Sequence, residues 1–314
     1  MWLIKSEEET DERYGKKPQE RTMDELIKTA VIIVDKHSGP TSHIITQWIR
    51  EIFQVKRAGH AGTLDPHVTG VLPVALESAT KAMSVFLGLD KEYVGVMHLH
   101  KEIDEVVLHN IIHDKFVGKI VQVPPVKAAV ARRPREKQIY FFDILEIEEK
   151  DVLFKVGCEA GLYVRKLIDD LGKALGIGAH LTELRRTRAG SFIEEQAFSL
   201  VKIKDAYEFW KEGNEKPLKK ILIPVEYAIP HVKKIFVKDS AIASICKGAP
   251  TYVKGITRLQ KGIIKGETIA IYSLKEELVA LGIAKMTSQE IYEKRGGIAV
   301  RTDRVFMEKG IYPG

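Results

Sequence analysis

Residues 59–73, GHAGTLDPHVTGVLP, carry one carboxylate, Asp65, flanked by His60, Thr63 and Thr69. An aspartate has a reference pKa of about 3.9, so at neutral pH it can act as a nucleophile, a base or a partner for a developing cation. Three glycines and two prolines in this stretch predict a constrained loop with little room for a regular helix or strand. Glycine reaches backbone angles closed to other residues, and Pro66 pushes Asp65 towards an extended conformation. The apolar run 71–76 behind the loop reads as core. A rigid loop backed by core suits an acid held in a cleft. Asp-Pro also begins ordinary turns, so the loop needs chemical partners elsewhere in the chain.

Three groups of residues are candidates. Arg165 opens an amphipathic pattern over 163–175 just after Gly161; a cation at a helix start opposes the macrodipole, which hints at a purpose other than stability. Arg185, Arg186 and Arg188 follow Leu184, three arginines in four positions without balancing acids among them, and Arg132, Arg133 and Arg135 form a second basic segment. Guanidinium forks fit phosphate oxygens, so these six arginines point to a nucleic-acid surface. Last come His98 and His100 on a strand pattern, and His109 and His113 four apart on a helical one. That spacing can build a metal site, but no cysteine or convincing carboxylate joins them, and no metal is expected.

The elements that must position these groups follow from periodicity and punctuation. Residues 5–22 are charged and poor in aliphatics, and read as an extended or loosely held arm. Thr22 caps a short helix over 23–29 with Glu25 as its capping-box partner. Residues 30–35 read as a buried strand, and Thr41 or Ser42 caps a helix whose apolar face is Ile44, Ile45, Trp48, Ile49 and Ile52. A helix is expected around 80–87, a strand over 91–100, a helix over 103–116, and paired strands over 139–147 and 152–159. This mixed order predicts an α+β fold with a largely antiparallel sheet. The pattern lapses over 218–230, which places a boundary there. From residue 232, short strands alternate with glycine turns, as in a small β-barrel or sandwich.

Composition is consistent with this. The 314 residues are 45% hydrophobic and 29% charged, with a formal charge of +6. Such a chain can bury a sizeable core, divide into two domains and meet an acidic partner through clustered basic residues. Cys158 and Cys246 stand far apart and make no disulfide framework. No apolar run approaches a membrane span, and the N-terminal residues lack a signal-peptide layout. The expectation is a soluble protein of a reducing compartment.

Taken together, the motifs resemble a known family. Residues 59–73 resemble the catalytic loop of TruB-type pseudouridine synthases, G-H-x-G-T-L-D-P-x-x-T-G-x-L. Lys91-Glu92-Tyr93 is similar to their second motif, Tyr163-Val164-Arg165 to their third, and Leu184-Arg185-Arg186-Thr187-Arg188 to the next, in the same order across 30–195. Residues 36–43 resemble a D-K-P-x-G-x-T-S segment with His37 in place of the usual proline, which changes the local turn. Residues 266–284 resemble a PUA domain.

The resemblance implies a catalytic domain over 30–230, a C-terminal β-barrel PUA domain over 231–314 that binds RNA, and an arm, 1–29, packed against the latter. It implies an isomerase that converts uridine in RNA to pseudouridine without a cofactor. Asp65 would be the catalytic residue at the sugar, and Arg165 would hold it charged and in place. Tyr93 would stack on the flipped uracil, Leu184 would wall the pocket, His60 would lie near the displaced nucleotide and Tyr163 beside the pocket. A core joined to a PUA domain, without long lysine-rich tails, resembles the archaeal catalytic subunit of H/ACA guide-RNA particles. The implied partners are an H/ACA guide RNA, rRNA and tRNA targets, small proteins of the Nop and Gar types and a ribosomal-protein-like kink-turn binder, in an archaeal cytoplasm. Two alternatives are a guide-independent tRNA T-arm synthase and a non-catalytic RNA-binding scaffold.

Overall fold

Continuous apolar runs such as 30–34 and 71–76, and alternating ones such as 91–99, build two sheets, and Gly70 sets a close approach between two strands. A computed structural model describes residues 1–124, 131 and 133–313; Arg132 and residues 125–130 lie outside this description. The larger sheet has ten strands. Its path runs Ile223–Pro224, Ala30–Lys36, Thr69–Leu76, Ala179–Ala189, Lys91–Leu99, Asp151–Cys158, Arg135–Glu148 and Gly118–Gln122, with Ala58–His60 and Phe192–Ile193 as short side pairings. Thr69–Leu76 and Ala179–Ala189 pair in parallel, and the other described pairings of this sheet are antiparallel. The architecture is α+β, as the sequence predicts.

Several local expectations need correction. Residues 59–73 are not all loop: Ala58–His60 pairs with residues 74–76, and the strand Thr69–Leu76 begins inside the stretch. Only 61–68 are irregular, because the apolar residues after Thr69 find partners in Ala30–Lys36. The segment 184–188 is strand, so its side chains alternate between faces. Residues 218–230 keep regular structure, with the helix Lys216–Ile221 and an edge strand against Ala30 and Val31. The helix Ser42–Ile52, capped by the Thr41 hydroxyl, buries Ile45 and Ile49 but leaves Ile44 and Trp48 each 39% exposed. Trp48 instead stacks on His37.

The smaller sheet has seven strands in the order Trp2–Ile4, Ile256–Gln260, Lys233–Val237, Thr268–Tyr272, Leu278–Ala284, Ile298–Val305 and Thr251–Tyr252. Its first strand, Trp2–Ile4, just precedes the arm 5–22, which is largely irregular yet bonded to this domain. Lys5 Nζ donates to the carbonyls of Ile291, Tyr292 and Lys294 at 2.7, 2.8 and 3.1 Å, satisfying acceptors that the end of the helix Ser288–Glu293 leaves open. Asp239 accepts bonds from Thr10 and Asp11.

One apolar cluster joins the sheets: Val31, Val71 and Ala75 of the larger, with Phe86 of the helix Met83–Leu87, pack in the same core as Phe236, Tyr272, Leu278 and Phe306. Buried Glu226 takes a two-pronged bond from Arg21, at 2.7 and 3.0 Å, and the Leu278 N–H at 3.0 Å.

Gly70 sets the parallel contact that brings two motifs together. Its φ is +98°, and a Cβ there would lie 2.2 Å from the Arg186 carbonyl oxygen. Gly70→Ala is expected to cost at least about 2 kcal/mol from backbone strain and strand separation. Denaturant unfolding measures it.

Candidate active site

Lys36, at the end of its strand, is fully buried beneath the irregular segment. Its Nζ donates to the carbonyls of His37, Pro66 and Val68 at 3.0, 2.8 and 2.8 Å. Burial pulls its pKa down, and the nearby Asp65 charge opposes that pull. From the other side, the Ser42 hydroxyl accepts the Leu64 N–H at 2.9 Å and donates to the Leu64 carbonyl at 3.0 Å. The Gly39 N–H donates to Pro66. Leu64 and Val68 insert into the apolar cluster that holds Tyr93, Leu162 and Val164. The backbone is thus fixed on both sides of Asp65.

The Asp65 side chain itself stays 58% exposed, and its Oδ2 lies 3.0 Å from Nη2 of Arg165, which is 66% exposed. An ion pair this open contributes little to stability; its consequence is to orient the carboxylate. Arg165 stands in the first turn of the helix Val164–Ala174, for which Tyr163 is the N-cap residue. Gln122 fastens that helix start: its Oε1 accepts the Tyr163 N–H at 3.0 Å and its Nε2 donates to the Tyr163 carbonyl at 3.3 Å. Gln122 is buried, and a glutamine two residues before a proline gives no signal of this role in sequence.

Tyr93 is 9% exposed, and its hydroxyl meets the Arg186 guanidinium. Burial pushes the phenol pKa up, and Arg186 opposes the shift. Leu184 pairs with Gly95 across the strands and packs against the Tyr93 cluster. His60 Nδ1 lies 2.9 Å from Thr46 Oγ1 and Nε2 lies 3.2 Å from Thr63 Oγ1, with His43 edge-on to its ring. Burial, then His43 and Arg186, pull the His60 pKa down to about 4. The ring is neutral at pH 7.

The arginine cluster departs from expectation. Arg186 is 1% exposed, turned inward by strand alternation, and cannot serve an RNA surface. Arg185 is held by Asp35 and Glu194, both at 2.8 Å, and Arg188 lies 3.8 Å from Glu92. The balancing acids are distant in sequence, which is why the run looks unpaired. Arg133 and Arg135 are exposed. Arg132 lies outside the described residues. His98 bonds Asp151 and His100 bonds His180, with the rings of His98, His100 and His180 beside one another, while His109 pairs with Glu105 and His113 with Asp114.

The order of these motifs matches known family models. The "TruB family pseudouridylate synthase (N terminal domain)" model matches residues 50–113, and the "tRNA pseudouridylate synthase B C-terminal domain" model matches 165–230. A PUA domain model matches 233–306 and a DKCLD (NUC011) model 1–46. The "Probable tRNA pseudouridine synthase B" of Methanopyrus kandleri is 52% identical over 99% of this chain and 92% of its own length. The chain belongs to the TruB family of pseudouridine synthases. It is an enzyme of RNA, isomerising uridine to pseudouridine. Among solved structures, a chain of a Cbf5-Nop10-Gar1 complex is 48% identical with a TM-score of 0.94, covering 100% of this chain and 96% of that one. A chain of an H/ACA RNP bound to a substrate RNA containing 2′-deoxyuridine is 47% identical with a TM-score of 0.93, at the same coverage.

A pH dependence follows from His60 in this TruB-family site. Its pKa is depressed in the fold, so the unfolded chain binds the extra proton between about pH 6.5 and 4, and stability falls as pH drops through that window. The His60→Asn variant is expected to show a shallower fall of Tm over that range. NMR titration of the His60 ring is expected near pH 4.

Proposed function

We propose that Asp65 is the carboxylate that attacks the ribose or removes its proton, and that the chain is the catalytic subunit of an H/ACA guide-RNA particle. The observation that carries the catalytic part is the 3.0 Å Asp65–Arg165 pair on a loop otherwise fixed by buried bonds. The isomerisation breaks N1–C1′, turns the base, bonds C5 to C1′, releases the C5 proton and protonates N1. A carboxylate suits either a covalent adduct at C1′ or a developing oxocarbenium centre. The target uridine leaves its stack to reach Asp65. Tyr93 stacks on the flipped uracil, a contact worth roughly 1–3 kcal/mol, with Leu184 and Tyr163 walling the pocket and His60 near the displaced nucleotide.

In this reading, residues 30–230 form the catalytic body and 231–314 the RNA-docking domain, to which the arm 1–29 is fastened. Arg133 and Arg135 contact RNA phosphates. The likeness to chains of H/ACA complexes across the whole sequence supports a guide RNA, an rRNA target, and small partners of the Nop and Gar types with a kink-turn binder. Among the described residues no helix is long and apolar enough to cross a membrane, and we place the particle in the cytoplasm. A tRNA target acted on without a guide is the second reading, favoured by the name of the Methanopyrus kandleri relative.

Turnover decides between these readings. With guide RNA and partner proteins present, multiple turnover on a guide-complementary target is expected to exceed that of the chain alone by about a hundredfold or more. Equal turnover on tRNA without a guide would favour the second.

A further inference from the structure

Arg186 and Lys91 are both buried, at 1% and 5% exposure, and among the described residues neither forms an ion pair with a carboxylate. Arg186 Nε donates to the Val71 carbonyl at 2.8 Å, and its guanidinium meets the Tyr93 hydroxyl, while Nη2 is buried with no partner among the described residues. Lys91 bonds only the Leu89 carbonyl among them. The two cations lie together under the irregular segment: a Cβ on Gly62 would sit 3.1 Å from Arg186 Nη1 and 3.4 Å from Lys91 Cε. Burial pulls the Lys91 pKa down to about 8, and Arg186 pulls it further in the same direction. Two adjacent buried cations with no carboxylate in contact, and only the more distant Asp90 charge acting on Lys91, destabilise a fold, and apolar side chains of similar volume would be cheaper. Their place is beneath Gly62 of the segment that carries Asp65, with Arg186 at the hydroxyl end of Tyr93.

The reaction supplies a transient anion at that place. When N1–C1′ breaks, its electron pair stays on the base, and the detached uracil carries a negative charge spread over its ring and carbonyl oxygens. The charge persists until C5 bonds C1′; the C5 proton then leaves and N1 takes up a proton, so the base ends neutral. We propose that Arg186 and Lys91 are positioning residues whose uncompensated charge, acting through Tyr93, stabilises the detached uracil anion. The inference rests on the reading of Tyr93 as the side chain that stacks on the base. Fixed cations in a water-poor site stabilise a transition state without reorganising during the reaction.

The test uses single-turnover rates and target-RNA Kd for the full chain in the assembly that turns over, with uridine or 5-fluorouridine at the target. Fluorine makes the base a better leaving anion, so loss of N1–C1′-linked 5-fluorouridine reports cleavage with less need for the cations. Lys91→Met and Arg186→Met are expected to keep Kd within about threefold, lose about a hundredfold in rate on uridine, and lose about tenfold or less on 5-fluorouridine. Arg186→Lys is expected to recover part of the loss. Uridine rates within about threefold of the parent, or equal losses on both substrates, overturn the proposal. If Arg186→Met does not fold, Lys91→Met decides by the same criteria. Tyr93→Ala is the control: if it retains the parent rate, the stacking reading has failed, whatever the cation variants do.

Discussion

The Lys36 ammonium is the constraint on which the site depends. A buried charge is costly unless its donors are satisfied, and here the three acceptors are the carbonyls of His37, Pro66 and Val68. Donor and acceptors need each other: without the ammonium, three carbonyls around the irregular segment lose their common partner. The segment therefore has one favourable geometry. Ser42 fixes Leu64 in the same way from the opposite side. Asp65 is carried between two pinned neighbours, and its exposed carboxylate inherits their order.

The rest of the chain brings distant segments to that carboxylate. The close approach at Gly70 joins the strand that follows Asp65 to the strand bearing Leu184 and Arg186. The next strand delivers Tyr93, and Gln122 from the far edge secures the helix that presents Arg165. The C-terminal sheet is not a tethered appendage. The core shared between the sheets and the Glu226 bonds to Arg21 and Leu278 hold it against the catalytic body. An RNA gripped by the smaller sheet would meet Asp65 in a fixed relation, which is what positioning a flipped nucleotide demands.

Much of this was legible in sequence where a local rule applied. Thr22 with Glu25, and Thr41, cap their helices through side-chain bonds that short spacing reveals. The family motifs name Asp65, Tyr93 and Arg165 because their order is preserved across the chain. What escaped was decided by contacts remote in sequence. Arg185 looks unpaired until the sheet brings Asp35 to it, across 150 positions. Arg186 looks like a surface cation until strand alternation turns it inward. The arm lacks core residues of its own and is ordered by the edge and turns of another sheet. The helix Leu200–Lys211 escapes a periodicity reading because Val201 and Phe209 are apolar yet exposed, at 69% and 47%.

The central claim is that Asp65 does chemistry on an already ordered loop, and the isosteric Asp65→Asn change tests it most directly. Single-turnover release of the C5 proton, read as tritium from C5-labelled uridine RNA, is measured together with target-RNA Kd. The account predicts a rate loss of about a thousandfold or more with Kd changed by less than about threefold. A rate within about tenfold of the parent would contradict it.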